Sequence, residues 1–307
     1  MKQRQNFNSL VELATNETGL SVIKPVIEKE ILHYDILFAL QTTGLLKDLV
    51  FQGGTSLRLC HGSSRYSEDL DFAGGENFQA EHIIEMKNCL EAYIGDRYGL
   101  EVSVKEPKSV KEELHRQGIN VDAWQLSITT SPEQRHIKKQ RIKIEVANVT
   151  AHTKEFKRLK NNYSFLPDAY DDILIGMETL DEIKADKILS LPAVTSHVRN
   201  RDIWDLLWLS QRTEGIREDL VLHKITEYNV ENYSSKLDDI IFNLDDIING
   251  NNFKQEMERF LTPEAVQRFI HNKEFLAYLS QEVTKIFTDV RKKLYKSEEK
   301  AEMSFII

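Results

Sequence analysis

The stretch Phe51-Gln-Gly-Gly-Thr-Ser-Leu-Arg-Leu-Cys-His-Gly-Ser-Ser-Arg-Tyr-Ser-Glu-Asp-Leu-Asp-Phe72 carries the reading of the fold. Leu49, Val50 and Phe51 form a short apolar run stopped by Gly53 and Gly54, which is the pattern of a buried strand entering a tight turn. Residues 55–61 read as a short helix. Residues 67–72 then alternate. Leu70 and Phe72 fall on one face of a strand and Asp69 and Asp71 on the other, because residues two apart share a face.

Each part of this stretch has a chemical use. Paired glycines let a backbone turn sharply and approach a phosphate closely. The hydroxyls of Thr55 and Ser56, with backbone N–H groups at a helix start, suit phosphate oxygens. Two carboxylates on one strand face, Asp69 and Asp71, suit hard divalent cations. A third carboxylate from a neighbouring strand would complete a two-metal clamp that activates an attacking oxygen and neutralises leaving pyrophosphate. Glu145 is the candidate: Ile142, Ile144 and Val146 alternate as a strand and leave Arg141, Lys143 and Glu145 on its opposite face.

Residues 20–45 place Ile27, Ile31, Leu32, Ile36, Leu37 and Leu40 at helical spacing, with Gly44 near the helix end. Residues 79–97 read as a helix. Leu100, Val102 and Val104 alternate as a strand, as do Trp124, Leu126 and Ile128. From about 179 the pattern is helical throughout. Thr179 and Glu182 have the spacing of a capping box, Pro192 is expected to end that helix, and Asn200 to cap the next. More helices are expected over 215–245, 252–261 and 263–292. The expected architecture is therefore an α/β (α+β) catalytic domain, residues 1–178, followed by an all-helical domain, residues 179–307.

Composition bounds the rest. The chain has 307 residues, 41% hydrophobic and 29% charged, the balance of a globular protein. No apolar run approaches the roughly 20 residues of a spanning helix, so no membrane partner is expected. The N-terminal stretch lacks an apolar signal core, and Cys60 and Cys89 form no metal or disulfide pattern; a reduced cytoplasmic setting is expected. A net charge of −9 argues against general coating of nucleic acid, though not against a local basic groove. One such run is Arg135, Lys138, Lys139, Arg141 and Lys143, which leads into the Glu145 strand. It reads either as solvated surface or as a contact to RNA phosphate or nucleotide. Arg65 is a further phosphate candidate, while Cys60, His61 and Trp124 read as packing.

The hydrophobic–Gly–Gly–Thr opening, the Asp–x–Asp and the later strand carboxylate resemble the polymerase β-like nucleotidyltransferase superfamily. The wording of 51–72, with Arg58 and Ser67 in matching places, looks like the AbiEii/AbiGii toxin family within it. A second match is Glu182–Ile–Lys–Ala–Asp–Lys187 followed by Arg199–Asn–Arg201–Asp202–Ile–Trp–Asp205. The two matches together cover roughly residues 25–210. The resemblance implies a polymerase β-like mixed sheet and a reaction that moves a nucleoside monophosphate from an NTP to an acceptor hydroxyl. It implies Mg²⁺, or Mn²⁺ in its place, on Asp69, Asp71 and Glu145. It also implies nucleotide contacts from Gly53, Gly54, Thr55, Ser56, Arg58 and Ser67. Ser67 could equally cap the turn into the strand.

Lys184 and Lys187 read either as lysines snorkelling from an amphipathic helix or as triphosphate ligands, and the resemblance favours Lys187. Asp202 and Asp205 suit a helix start and an ion pair with Arg201 or Lys187; the resemblance gives them the task of orienting the lysine beside the active site. It further implies a bacterial toxin of a toxin–antitoxin or phage-defence pair, a tRNA 3′ end as acceptor and a cognate antitoxin as partner. Two other readings use the same residues. One is nucleotidylation of a protein or small molecule, and the other is a non-catalytic NTP-binding module.

Overall fold

The computed structural model describes residues 4–18, 23–110, 118–133 and 138–295. They form two compact units, divided after Glu178.

The first unit contains α1 (Phe7–Thr18), α2 (Lys24–Thr42), β1 (Val50–Gln52), α3 (Gly53–His61), β2 (Leu70–Ala73), α4 (Met86–Tyr98), β3 (Val102–Lys105), β4 (Val121–Ile128), β5 (Gln140–Ala147), β6 (Glu155–Arg158) and β7 (Leu174–Met177). Its seven strands make one mixed sheet in the order β3-β4-β5-β2-β1-β7-β6. β2 lies inside the sheet, antiparallel to β1 and parallel to β5, and β1 runs parallel to β7. One face is the core. Trp124, Leu126 and Ile128 of β4, Ile142, Ile144 and Val146 of β5, and Leu70 and Phe72 of β2 are all buried there. Phe51 stacks on Phe72 across β1 and β2, with ring centroids 5.0 Å apart. The expected alternation holds along β4 and β5 and for Leu70 and Phe72 of β2, whereas β3 opens only at Val102, so Leu100 lies before it; the fold is the expected mixed sheet with helices.

α2 packs against α1, α4 and β5. It is buried all round, including Glu28, Glu30, His33 and Asp35. A helix with apolar residues on every side has no solvent face to give its charges. Those charges must therefore find partners. Tyr98 and Tyr170 donate to Asp35 at 2.7 and 2.5 Å, and Arg97 pairs with it at 3.0 Å. β6 and β7 were not anticipated. Each has four residues, and Phe156 of β6 and Leu174 of β7 are exposed, so neither shows an apolar–polar alternation long enough to read.

The second unit is helical: α5 (Leu180–Ala193), α6 (Asn200–Ser210), α7 (Glu218–Glu227), α8 (Tyr233–Asn249), α9 (Asn251–Phe260), the short α10 (Pro263–Ala265) and α11 (Lys273–Leu294). Its core joins Ile188, Ile203, Leu206, Leu237, Leu244, Phe253, Leu279, Val283 and Phe287. Three local expectations are corrected here. The capping box does not form: Thr179 makes no side-chain cap bond, because the fully buried Glu182 pairs instead with Lys224 of α7 at 2.8 Å. Pro192 lies within the last turn of α5 rather than beyond it. Asn200 is the first residue of α6 and donates to Glu256 of α9 at 2.8 Å, leaving Arg199 at the cap position.

Candidate active site

The register of β2 against β5 sets Asp71 directly beside Glu145, with Gln52 of β1 on the other side of Asp71. Residues paired across neighbouring strands point to the same face. Asp71 and Glu145 therefore share the sheet face opposite Leu70, Phe72 and Ile144, and both are half-buried. Lys143, two residues before Glu145, brings its ammonium 3.6 Å from the Glu145 carboxylate.

Asp69 sits one residue before the start of β2, not within it. Its Oδ1 accepts the backbone N–H of Lys143 at 3.1 Å, and its carbonyl accepts the Thr55 hydroxyl. The side chain is thus turned toward the β5 backbone. Among the described residues no three His, Cys, Asp or Glu side chains converge tightly enough to enclose a metal ion. The donor chemistry still suits Mg²⁺, which takes hard oxygens and usually binds one or two carboxylates together with water and substrate phosphates rather than a closed protein cage.

The glycine turn belongs to the same place. Gly53 has φ +77°, the left-handed region, and a Cβ there would lie 2.7 Å from Asp71 Oδ2. A Cβ on Gly54 would lie 2.3 Å from the Arg65 guanidinium and 3.2 Å from Ser67 Oγ. So the glycines first serve to admit the protein's own Asp71 and Arg65. Thr55 and Ser56 are buried; Thr55 ties the helix start to Asp69, and Ser56 donates to the Gly53 carbonyl at 2.8 Å. Arg65 is buried and donates to the Tyr66 carbonyl at 2.7 Å, and Ser67 is buried beside it.

Arg58 faces α2 rather than open space. It grips Glu30 through two bonds of 2.8 and 3.0 Å, donates to the Ser63 carbonyl at 3.1 Å, and lies 4.2 Å above the Tyr66 ring centre. Two further α2 residues hold the segment entering β2. Lys29 pairs with Glu68 at 2.7 Å, and His33 Nε2 bonds the Glu68 carbonyl at 2.9 Å. Burial pushes the His33 imidazole down to about 4, so the neutral ring is the donor to that carbonyl. Sequence reasoning missed Lys29, Glu30 and His33, since the helical pattern marks only the apolar positions around them.

The basic run is divided. Arg135 lies outside the described residues. Lys138, Arg141 and Lys143 are exposed, and Lys139 pairs with Glu101 at 3.1 Å.

In the second unit, Lys187 and Asp202 form a short buried pair, with Asp205 3.4 Å from the same ammonium. Arg199, not Arg201, is the second cation on Asp202, while Arg201 pairs with Glu256 at 3.3 Å. Burial pushes the Asp202 carboxyl up, but Lys187 and Arg199 outweigh it and hold the group well below the usual carboxylate range. Lys184 does not share these partners. Its ammonium donates to the Gly215 carbonyl at 2.6 Å and to Thr213 at 3.0 Å, and burial lowers its pKa.

Residues 35–294 match the family model of the nucleotidyl transferase AbiEii toxin of type IV toxin–antitoxin systems. The chain belongs to the AbiEii family. This AbiEii-family chain resembles MenT4, a nucleotidyltransferase toxin from Mycobacterium tuberculosis H37Rv. The TM-score is 0.55 at 19% identity, over 97% of this chain and 92% of that one. At that identity the likeness speaks for the fold. JHP933 from Helicobacter pylori gives a TM-score of 0.48 at 18% identity, over 91% of this chain and 97% of that one. No curated protein sequence matches. AbiEii membership makes the chain a nucleotidyltransferase toxin with an antitoxin as its counterpart. Among the described residues no helix is long and apolar enough to cross a membrane.

Proposed function

We propose that this AbiEii-family chain transfers a nucleoside monophosphate from an NTP to the 3′ hydroxyl of a tRNA. The single observation that carries the reading is the register that sets Asp71 beside Glu145, with the Gly53 backbone pressed against Asp71. In the proposed reaction the acceptor oxygen bonds to the α-phosphorus, and the bond from that phosphorus to the β-phosphate bridging oxygen breaks, releasing pyrophosphate. Glu145 takes the hydroxyl proton and aligns the acceptor. Asp71, Glu145 and the free edge of Asp69 would hold Mg²⁺, or Mn²⁺ in its place, which when bound supplies charge neutralisation for the phosphates.

The backbone at Gly53 and Gly54 lines the approach to these carboxylates, with Arg65 and Ser67 behind it. Thr55, Ser56 and Arg58 serve this reading by fixing the turn, through the bonds given above. Lys187, its ammonium set by Asp202 and Asp205, is assigned to the triphosphate on the strength of the family motif. Arg141, Lys143 and Lys138 are offered to RNA phosphate. The setting proposed is the bacterial cytoplasm, where the modified tRNA stops translation, the antitoxin relieves the block, and phage infection is the occasion.

The test incubates purified protein and Mg²⁺ with each labelled NTP in turn and total tRNA, beside Asp69→Ala/Asp71→Ala. Label on RNA only with the intact chain supports the reading. Label on the protein itself, or on neither, removes the tRNA acceptor.

A further inference from the structure

The sheet face that carries Asp71 and Glu145 does not stop at them. Gln52 pairs with Asp71; Phe51 pairs with both Phe72 and Met177 on the core face; and Gly176, next to Met177, pairs with Phe156. Alternation along each strand then puts Gly176 and Phe156 on the same face as Asp71 and Glu145. β6 is the edge strand, three strand spacings from β2, or roughly 14 Å.

That edge has an unusual surface. His152, Lys154, Phe156, Arg158 and Lys160 are all exposed, while the residues between them are half-buried or buried. Phe156 is 63% exposed, a large apolar ring open to water between two cations. Lys154 lies with its ammonium 5.4 Å from the Phe156 ring centre. The strand beneath makes room for both. A Cβ on Gly176 would meet Lys154 Cε at 2.6 Å and Phe156 Cε1 at 3.4 Å, so the absence of a side chain lets them lie over the sheet. In a chain of net charge −9, residues 152–160 carry Lys154, Lys157, Arg158 and Lys160 against the single acid Glu155. An exposed aromatic ring flanked by cations is the pattern that binds single-stranded nucleic acid, the ring stacking a base and the cations taking phosphates.

We infer that β6, through Phe156, Lys154 and Arg158, is a platform for the single-stranded end of the RNA acceptor, leading it across β7 and β1 toward Asp71 and Glu145. The inference rests on the RNA-acceptor reading above and deepens it. It differs from the basic run at 138–143, which lies on the far side of β2. A basic edge strand could instead serve only to repel other sheet edges. The exposed ring and the glycine beneath it favour RNA, because repulsion needs neither.

The test measures fluorescence anisotropy of a fluorescein-labelled single-stranded RNA 12-mer and of its duplex against the full chain, without NTP. Variants are Phe156→Ala, Phe156→Trp and Lys154→Ala/Arg158→Ala, each checked for an unchanged melting temperature. Loss of one stacked base should weaken single-strand binding about 10-fold in Phe156→Ala, with Phe156→Trp close to the parent. Loss of two phosphate contacts should reduce the salt slope by about 1.4. No single-strand binding by the parent chain overturns the inference, as do equal affinities across variants or equal weakening on the duplex. So does self-association of Lys154→Ala/Arg158→Ala with RNA affinity intact, which marks a merely repulsive edge. Binding through Phe156 by a chain that transfers no label leaves the platform and removes the transfer reading. Unchanged transfer and binding in Phe156→Ala does the reverse.

Discussion

At the scale of single residues, the site turns on how closely side chains approach the Gly53–Gly54 backbone. Gly53 is left-handed and touches Asp71, and Gly54 touches Arg65. Gly53→Ala should therefore act twice. The left-handed backbone costs roughly 1–2 kcal/mol, visible in urea denaturation, and the methyl group displaces the Asp71 carboxylate. Nucleotide transfer should fall further than the stability loss explains, in assays well below the melting temperature. Transfer within twofold of the parent would mean that the Asp71 position is not critical. The glycine turn before α3 and the place of Asp71 in β2 are legible from spacing and alternation. The Arg65–Gly54 contact is not, because the loop conformation that brings residue 65 back over residue 54 leaves no periodic trace. Alternation makes Asp69 a strand residue equivalent to Asp71, but its carboxylate accepts the Lys143 backbone N–H and is turned aside at the strand entrance.

At the scale of elements, α2 is the support of the site. Its Lys29 and His33 hold Glu68, and its Glu30 holds Arg58. The apolar pattern located this helix but not its buried charges, since hydrophobic periodicity is silent about which polar residues are paired inside. His33 gives the element a pH dependence. Its folded pKa, about 4, is depressed below the ordinary value of 6.5. The unfolded chain then gains the proton first, so stability is full above about pH 6.5 and is lost as pH falls toward 4. The loss is on the order of 3 kcal/mol. Urea denaturation at pH 7.5 and 4.5 should show that fall, and His33→Gln should remove His33's share of it, leaving the share of His61, whose imidazole burial also pushes down to about 4. The comparison also separates His33 from Asp35, whose carboxyl burial pushes upward. The same slope in parent and variant would contradict the assignment.

At the scale of the whole molecule, a mixed sheet and a helical unit follow each other in the chain. The change from two-residue to helical periodicity near 179 made that order readable. β6 and β7 escaped because four-residue strands with exposed Phe156 and Leu174 resemble loops. The helical unit has an apolar core and, among its buried ion pairs, Lys224 with Glu182, both fully buried, with Asp186 3.0 Å from the same ammonium. Lys224→Ala takes the cation from that buried carboxylate and should cost about 3–5 kcal/mol. Lys224→Met/Glu182→Leu should cost much less, and equal losses would place the cost in packing rather than charge. The proposed transfer site is Asp71 with Glu145, neighbours by strand register. The most direct measurement is the rate of nucleoside monophosphate transfer to tRNA by Asp71→Asn and Glu145→Gln, each held to the parent's melting temperature. A fall of about 100-fold or more in both is the expected result, the scale on which acid–base and charge-stabilising groups act. Transfer by either variant within a few-fold of the parent would contradict it.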